Sequence, residues 1–375
     1  MRLTLVIASL GRGGAERTAS VLASAWAERG FNVTIVTLEG DLTAFPLHPA
    51  VVQRHLNLRN GKAKHIFHGL VRNLRMVRAL RNALRDLEPH VIISFMDISN
   101  ILALLAASGL DTRVMVTEHV HPAYHYIGWH WRMLRRFLYH RADALVCVSR
   151  PILDWFQTNL RITGYVIPNP IALAPWPEHL GQTRDQGRHL IVGMGRLIEQ
   201  KGFDLLLASF AQVAARHSDW SLKVIGEGPL RGQLEALSQQ LSLTGQVEFT
   251  GALADPFPTL RAADLFVFSS RFEGFGNALC EAMACGVAAI SFDCPSGPSE
   301  IIRHGIDGVL VPAEDVTALA SAMDDLMCDA TKRETFGRRA RDVLNRFGVD
   351  GVLSRWEMVF GDELSTRKPN SSRGK

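Results

Sequence analysis

The chain repeats one pattern twice along its length: short apolar runs typical of strands alternate with longer amphipathic runs typical of helices. Strands that alternate with helices pair in parallel through right-handed crossovers, with helices packed on the sheet. The sequence therefore predicts an α/β protein with two tandem doubly wound, Rossmann-like domains. In the first series the strand candidates are 3–8, 33–38, 91–95, 114–117 and 144–148, and the helix candidates are 15–28, 64–87, 100–107, 131–141 and 152–158.

A segment rich in proline and polar residues, YVIPNPIALAPWPEHLGQTRDQGRH, precedes the second series and is typical of an interdomain linker. We expect domains at 1–170 and 171–345, with a ligand site at the carboxyl ends of the strands in the interdomain cleft. The tail 364–375 is predicted to be disordered. The second series has strand candidates at 190–193, 221–225, 247–249, 265–268, 288–292 and 308–311, and helix candidates at 202–216, 228–239, 256–262, 277–284 and 316–328.

Charge is distributed unevenly over the chain. Residues 1–170 carry 20 Lys and Arg against 11 Asp and Glu, whereas residues 171–375 carry 21 against 26. A basic N-terminal half indicates an anionic partner or surface. The sequence contains no apolar run of about 20 residues, no recognisable signal peptide and no metal-type cysteine spacing, so we expect a cytoplasmic, reduced protein.

The first strand-to-helix turn, SLGRGGAE, contains glycines at positions 11, 13 and 14. It matches only part of the dinucleotide fingerprint, because Glu16 stands where the third glycine belongs. Backbone N–H groups at such a turn favour anions, so Gly13 and Gly14 are candidates for contact with a phosphate. A tight turn without any ligand is the alternative.

The richest chemistry lies in the segment SSRFEGFGNALCE. Glu273 falls in a loop after a strand and Glu281 on the helix that follows, so the two carboxylates can accept hydrogen bonds from different sugar hydroxyls. The glycines between them leave the N–H groups of Phe275, Gly276 and Asn277 able to face an anion at the helix N-terminus. Two solvated glutamates beside a turn would be the alternative.

A second segment, GMGRLIEQKGF, places Arg196 and Lys201 just beyond a strand. Two cations that converge at the carboxyl end of a strand can neutralise a pyrophosphate leaving group. Either cation by itself would more often be a surface charge.

Together the glycine-rich first loop, GRLIEQKG, VIGEGP, FTG and EGFGNALCE resemble the retaining nucleotide-sugar glycosyltransferases of family 4, which have the GT-B fold. The resemblance extends to about residue 345, and it implies that the segment 346–363 is a helix that returns to the N-terminal domain. It also implies a UDP-linked donor. The implied donor contacts are Arg196 and Lys201 to the diphosphate, Glu281 to the ribose, Glu273 to the transferred sugar, Gly251–Leu253 to the base, His119 to the reacting sugar, and Gly13 and Gly14 to phosphate or acceptor.

The resemblance implies transfer with retention, in which the departing diphosphate oxygen helps to deprotonate the incoming hydroxyl and the enzyme stabilises the leaving charge. No Asp-x-Asp motif occurs near the predicted site. We therefore expect no metal requirement and no cofactor, with the nucleotide sugar serving as a substrate.

The predicted helix 64–87 is unusually basic, since no acidic residue occurs between Lys62 and Arg85. At about 100° per residue, Leu70, Leu74, Val77 and Leu84 share a face, while His65, His68, Arg72 and Arg75 cluster on another. A cationic stripe fits anionic headgroups or a lipid diphosphate, although a solvated amphipathic helix is the alternative.

The segments ISFMDISNI, TEH, WRMLRRFLYHRADALV and DCPSGPSEII are similar to the bacterial N-acetylgalactosaminyltransferases of lipid-linked glycan and polysaccharide assembly. That similarity implies that Arg72, Arg75 and Arg78 hold the diphosphate of an undecaprenyl-linked glycan. It also implies peripheral association with anionic lipids at the cytoplasmic face of the inner membrane.

Two other functions remain open at the level of sequence. The first is a nucleotide-sugar 2-epimerase on the same fold, which needs no lipid acceptor, so the basic helix argues against it. The second is a non-catalytic binding protein, against which the complete set of predicted site residues argues: His119, Arg196, Lys201, Glu273 and Glu281. Nucleic acid is not expected as a partner because no aromatic stacking platform accompanies the basic helix.

Overall fold

A seven-stranded sheet forms the N-terminal part of the computed structural model, which describes residues 1–11, 13–40, 42–58, 66–172 and 188–366, without the side chains of 66–70 and 362–366. The strands are all parallel and run in the order β3-β2-β1-β4-β5-β6-β7. They are β1 (Arg2–Ile7), β2 (Asn32–Thr37), β3 (Val52–His55), β4 (Val91–Phe95), β5 (Arg113–Glu118), β6 (Ala144–Cys147) and β7 (Tyr165–Val166). The helices of this part are α1 (Gly14–Glu28), α2 (Ile66–Leu87), α3 (Asp97–Ala107), α4 (Trp129–Leu138) and α5 (Arg150–Leu160).

A second parallel sheet, in the order β10-β9-β8-β11-β12-β13, follows further along the chain. Its strands are β8 (His189–Met194), β9 (Trp220–Ile225), β10 (Val247–Gly251), β11 (Leu265–Phe268), β12 (Ala288–Asp293) and β13 (Val309–Pro312). The remaining helices are α6 (Phe203–Ala214), α7 (Arg231–Gln240), α8 (Phe257–Ala262), α9 (Asn277–Ala284), α10 (Pro298–Ile301), α11 (Val316–Cys328), α12 (Ala330–Ala340), α13 (Val343–Phe347) and α14 (Val349–Thr366).

In each sheet the strand order reverses beside the first strand of its series. Leu5 of β1 pairs with Ile35 of β2 on one side and with Ile93 of β4 on the other, and β8 lies between β9 and β11 in the same way. Reversal of this kind defines a doubly wound sheet and opens a crevice at the carboxyl ends of the two central strands. The predicted α/β class with two Rossmann-like sheets is confirmed.

The chain divides into two compact units, each with its own core. Unit 1 comprises Met1–Pro170 and Val349–Lys375, and unit 2 comprises Ile171–Gly348. The final helix begins at Val349 rather than at residue 346, because Gly348 is extended and separates α14 from α13. Residues 364–366 continue α14, so the predicted tail is wrong there, and 367–375 lie outside the described residues.

Several short elements were not predicted from the sequence. The strand β3, with sequence VQRH, lies at the edge of its sheet and lacks an apolar run, and β7 has only two residues. The helix α12, with sequence ATKRETFGRRA, is polar and contains Gly337, whose backbone lies close to the carbonyl oxygen of Gly286. Such elements depend on tertiary contacts that local sequence patterns do not report.

The predicted apolar face of α2 needs correction. The described side chains that this helix buries are Met76, Leu80, Ala83 and Leu84, whereas Leu74 is 58% exposed. The residues at 65, 68 and 70 fall where no side chain is described. The error arose because Met76 and Leu80 lie about 160° and 120° away from Leu74 at about 100° per residue.

Aromatic rings attach α14 to the core of unit 1. Trp26 of α1 meets Trp356 at a centroid distance of 5.9 Å and Phe360 at 5.7 Å, and all three rings are buried. Arg29 also pairs with Asp350 at 2.8 Å and with Glu357 at 2.6 Å. Those exposed ion pairs contribute little stability, so the ring cluster provides most of the attachment.

We predict that Trp356→Ala lowers the free energy of unfolding of unit 1 by about 3 to 5 kcal/mol, because it empties a closely packed aromatic site. Met358→Ala is a matched control on the same helix, since Met358 is 62% exposed. Urea unfolding, monitored by amide hydrogen exchange in β1, measures the free energy of unfolding of both variants. Equal effects of the two substitutions would contradict this account of the docking of α14.

Candidate active site

The predicted donor residues of unit 2 follow its two central strands. Arg196 lies two residues after β8, and Glu273 lies in the loop after β11, so both are at the carboxyl edge where the strand order reverses. Arg196 is exposed, and its backbone oxygen accepts from the N–H of Ile198 at 2.8 Å. This edge is where an open α/β sheet binds its ligands.

Lys201 and Glu273 form an ion pair at this edge, through Nζ and Oε1. The side chains of Lys201 and Glu273 are 20% and 8% exposed, so water screens the pair only weakly. Lys201 ends a short 3-10 turn, and the next residue, Gly202, has a φ of 60°. A Cβ on Gly202 would collide with the carbonyl oxygen of Ser269, so glycine there lets the two strand-end loops meet.

Neighbouring segments hold the Glu273 loop in place, and sequence reasoning missed them. Arg271 donates to both carboxylate oxygens of Asp204, at 2.9 and 2.6 Å, and these hydrogen bonds raise its pKa. Ser296 donates its hydroxyl to the backbone oxygen of Glu273, whose own N–H donates to Pro295 at 3.3 Å. The turn residues SGP in DCPSGPSE are the sequence signal that could have predicted the turn at Ser296.

The helix α9 begins directly after this loop. Gly276 precedes it with a φ of 111°, and Asn277 is its first residue. Phe275 is buried and meets Phe347 edge-on at 5.2 Å, so its predicted donor contact concerns its backbone. Glu281 lies inside α9 and is 4% exposed. The two predicted carboxylates are therefore both buried on consecutive elements of unit 2.

The loop predicted to hold the base ends β10. Gly251 has a φ of 77°, and its carbonyl oxygen accepts a hydrogen bond from the N–H of Gly226 at 2.9 Å. Leu253 is half-buried two residues later. The backbone contact joins this loop to the GEGP turn after β9.

His119 follows β5 in unit 1 and stacks on Phe95 at a centroid distance of 5.4 Å. Its Nε2 lies 2.9 Å from the hydroxyl oxygen of Thr117, and that hydroxyl donates to the carbonyl oxygen of Ser94. The Thr117 hydroxyl therefore lies within hydrogen-bonding distance of both the ring of His119 and the backbone of β4.

Burial lowers the pKa of His119 to about 4, although the Asn169 side chain acts in the opposite direction. The ring is consequently neutral at pH 7. Asn169 also lines a small cavity beside His119, together with Thr18 and Trp356. It was not identified from the sequence because its motif, PNP, was assigned to the linker.

A buried polar cluster lies beside His119. Tyr139 donates its hydroxyl to Glu118, and the Asn100 amide donates to Tyr139 at 3.0 Å and to the Thr117 carbonyl at 2.9 Å. Burial, together with the negative charge of Asp97, raises the pKa of Glu118 to about 7.

The glycine loop of unit 1 carries a carboxylate. Gly13 is extended and precedes α1, and a Cβ on Gly13 would collide with the Glu16 side chain. A carboxylate at a helix N-terminus is favoured by the helix dipole, and it accepts hydrogen bonds from hydroxyls more readily than it tolerates a phosphate. The predicted contact of Gly13 and Gly14 with phosphate or acceptor thus fits a hydroxyl better.

Sequence comparison decides the family. A model for Glycosyltransferase Family 4 matches residues 12–174, and a model for Glycosyl transferases group 1 matches residues 178–343. The chain belongs to the family 4 glycosyltransferases.

This glycosyltransferase is similar to characterised bacterial proteins. It is 26% identical over 363 residues to the Campylobacter jejuni protein named GalNAc-alpha-(1->4)-GalNAc-alpha-(1->3)-diNAcBac-PP-undecaprenol alpha-1,4-N-acetyl-D-galactosaminyltransferase, with 96% of this chain and 99% of that protein covered. An exopolysaccharide phosphotransferase of Streptomyces coelicolor is 34% identical over 229 residues, covering 60% of this chain. The match spans about a quarter (24%) of that longer relative.

A solved structure shares the fold. HepE from Anabaena, in complex with UDP, superimposes with a TM-score of 0.79 at 18% identity, covering 96% of this chain and all (100%) of the other. The GT-B fold predicted for the glycosyltransferase is thereby confirmed.

The basic helix α2 of the glycosyltransferase presents part of its charge to solvent. Arg75 and Arg78 are exposed, and Arg72 is half-buried. Arg81 instead faces the protein, where it donates to the carbonyl oxygens of Ala106 and Ser108 at 2.9 and 2.6 Å. Among the described residues, no helix is both long and apolar enough to cross a membrane.

Within the described residues, one group of side chains has metal-ligand geometry: His217, Asp324 and Cys328 of unit 2, whose ligand atoms lie within 4.8 Å of one another. Asp324 already accepts from His217 at 2.7 Å and from Arg216 at 3.1 Å. Because the arginine neutralises the carboxylate, we interpret the group as an ion-pair cluster at the ends of α6 and α11.

The raised pKa of Glu118 predicts a pH-dependent stability. A carboxyl whose pKa rises from 4.5 to about 7 on folding stabilises the protein fully below pH 4.5, and that contribution is lost as the pH rises through 7. From pH 5 to pH 8 the free energy of unfolding of wild type should fall by on the order of 3 kcal/mol more than that of Glu118→Gln. Urea unfolding of both proteins at the two pH values measures this difference. The exposed Glu28→Gln is the control, and parallel pH profiles for wild type and Glu118→Gln would contradict the prediction.

Proposed function

We propose that this glycosyltransferase transfers a hexose or N-acetylhexosamine, with retention and without a metal, from a UDP-sugar to an undecaprenyl-diphosphate-linked glycan in cell-surface polysaccharide or glycan biosynthesis. The observation that carries the proposal is the weakly screened Lys201–Glu273 pair at the crevice of unit 2. The ammonium group of Lys201 suits a diphosphate, and the carboxylate of Glu273 suits sugar hydroxyls.

In this proposal the donor binds to unit 2. Arg196 and Lys201 neutralise the diphosphate, Glu281 accepts from the ribose hydroxyls, and Glu273 accepts from hydroxyls of the transferred sugar. The UDP bound to the HepE structure supports UDP as the nucleotide. The loop at Gly251 and Leu253 would hold the base.

The bond between the anomeric carbon and the phosphate oxygen breaks as the acceptor oxygen attacks from the same face. The hydroxyl proton passes to the departing diphosphate oxygen, so no enzyme carboxylate needs to act as a nucleophile. The pairing of Glu273 with Lys201 supports this mechanism, because it reduces the carboxylate's nucleophilicity and keeps it positioned as an acceptor. Stabilising the leaving charge is then the main catalytic task.

The same residues support the proposed independence from a metal. A divalent cation would serve to neutralise the diphosphate, and the charges of Arg196 and Lys201 can do so instead. We expect transfer to continue in EDTA.

Unit 1 is proposed to bind the acceptor at the cytoplasmic face of the membrane. Arg72, Arg75 and Arg78 would hold the lipid diphosphate, as the name of the Campylobacter relative suggests for its acceptor class. Neutral His119 would face the reacting sugar, as the family resemblance implies.

The test is label transfer from a panel of UDP-sugars into undecaprenyl-diphosphate-linked acceptors, with EDTA present. We expect label from one donor to enter the lipid fraction, and we expect Glu273→Gln and Lys201→Ala to reduce transfer by about 100-fold or more. Lys201→Ala removes a positive charge from the leaving diphosphate, and Glu273→Gln removes the carboxylate that holds the hydroxyls of the transferred sugar. Thermal unfolding of both variants checks that the fold survives.

Full activity in either variant would overturn the site assignment. Conversion of a UDP-sugar to its 2-epimer without acceptor would favour the epimerase. Donor binding without any transfer across the panel would favour the non-catalytic alternative.

The acceptor assignment has its own prediction. Arg75→Glu/Arg78→Glu should lower transfer to the lipid-linked acceptor at least about tenfold, while hydrolysis of the donor by water stays near wild type, because unit 2 is untouched. Arg338→Glu/Arg339→Glu makes the same charge change in unit 2 and serves as the control. Equal losses in transfer and hydrolysis would remove α2 from the acceptor site.

A further inference from the structure

The helix α4 exposes several large apolar side chains and buries a charged one. Trp129, Met133 and Phe137 are 73%, 45% and 65% exposed, whereas Arg135 is 4% and Leu138 7% exposed. Surface helices of globular proteins normally bury the apolar face and expose the charges. This orientation leaves a contiguous strip of three large apolar side chains, one helical turn apart, on the surface of unit 1.

Arg135 accounts for the orientation. Its guanidinium carbon lies 5.2 Å from the ring centroid of Trp155 and 5.6 Å from that of Phe156, and its charge acts on buried Glu118. Successive residues of a helix are about 100° apart, so Met133 and Phe137 both lie about 160° from Arg135. A helix that buries this arginine must therefore direct those two residues outward.

Positive charge borders the apolar strip. Arg132 and Arg136 are exposed along one edge of it, and His130 is exposed within it. Residues 119–142 contain four arginines and five histidines and no acidic residue. Within this segment the strip is therefore bordered by cations and by no acidic residue.

The neighbouring helix α2 repeats the combination. Its exposed side carries Val71 and Leu74, which are 48% and 58% exposed, next to Arg75 and Arg78. The helix α3 packs against both α2 and α4, so the three helices form one layer on unit 1. Two helices of one layer thus expose apolar and cationic side chains together.

We propose that the strip Trp129, Met133 and Phe137 inserts into the interface of a membrane that contains anionic lipids. Amphipathic helices with aromatic and aliphatic residues beside arginines lie in the headgroup region in this way. Arg132 and Arg136 would pair with lipid phosphates while the apolar side chains reach the acyl boundary. The proposed function serves here only to identify the membrane as the cell membrane that carries the lipid-linked acceptor; the binding itself does not depend on it.

A second copy of this chain fits the strip less well. A symmetric dimer through α4 would place Arg132 and Arg136 near their own copies, and the segment 119–142 provides no acidic residue to compensate. An anionic bilayer supplies both the apolar phase and the opposite charge.

The test is sedimentation of the full chain with vesicles of phosphatidylcholine alone or with phosphatidylglycerol, without donor or acceptor. We expect binding to the anionic vesicles, weakened about tenfold or more by Trp129→Ser/Phe137→Ser because two apolar anchors are lost. Leu42→Ser/Met358→Ser removes two exposed apolar residues elsewhere in unit 1 and should bind like wild type. Arg132→Glu/Arg136→Glu should abolish the preference for phosphatidylglycerol.

Insertion has a direct spectroscopic signature. Lipids brominated along the acyl chain should quench part of the tryptophan fluorescence of wild type, and Trp129→Phe should lose that part while it still sediments with the vesicles. Unchanged quenching in Trp129→Phe would place the inserted residue elsewhere and overturn the proposal.

Equal binding by wild type and Trp129→Ser/Phe137→Ser would also overturn it, as would a wild-type dimer in light scattering that this variant converts to a monomer. Failure of the proposed function gives a different result, namely vesicle binding with no sugar transfer from any donor. If Trp129→Ser/Phe137→Ser still transfers sugar to a water-soluble acceptor, this would support a role for the strip in membrane docking alone.

Discussion

The reversal of strand order beside β1 and β8 is the constraint on which the rest of this structure depends. Parallel strands deliver their following loops to one edge, and the reversal separates the helices on either side, so a crevice forms there. Glu273 lies far in sequence from Arg196 and Lys201, but it follows β11, the neighbour of the strand β8 that they follow. The Lys201–Glu273 pair then joins the loops of β8 and β11.

Buried charge has three different roles in the two units. In unit 2 a lysine and a glutamate neutralise each other at the crevice, where a ligand with both phosphate and hydroxyls can replace those contacts. In unit 1 Glu118 accepts hydrogen bonds from Tyr139 and Asn100, and its pKa is raised by burial although those hydrogen bonds act to lower it. Arg135 of α4 is accommodated by aromatic rings, and its burial turns the apolar side of that helix to solvent.

Much of the fold was readable from local pattern. The strand at 265–268 and the helices at 277–284 and 316–328 have the bounds predicted for them, because apolar periodicity and glycine punctuation agree there. The edge strand β3, the polar helix α12 and the buried face of α2 were missed or misassigned, since their state is decided by neighbours distant in sequence. The glutamates and cations of the crevice were identified from their motifs, whereas Asn169, Arg271 and Ser296, which support His119 and Glu273, were not.

The sequence by itself determined the order of strands and helices, the family, and the residue types available for chemistry, because periodicity and short motifs are local properties of the chain. Only the tertiary structure decided which atoms meet: the pairing of Lys201 with Glu273, the contact of His119 with Thr117, and the outward direction of Trp129, Met133 and Phe137. A hydrogen bond, a pKa or an exposed face depends on packing between segments far apart in the chain, and no window along the sequence contains both sides of such a contact.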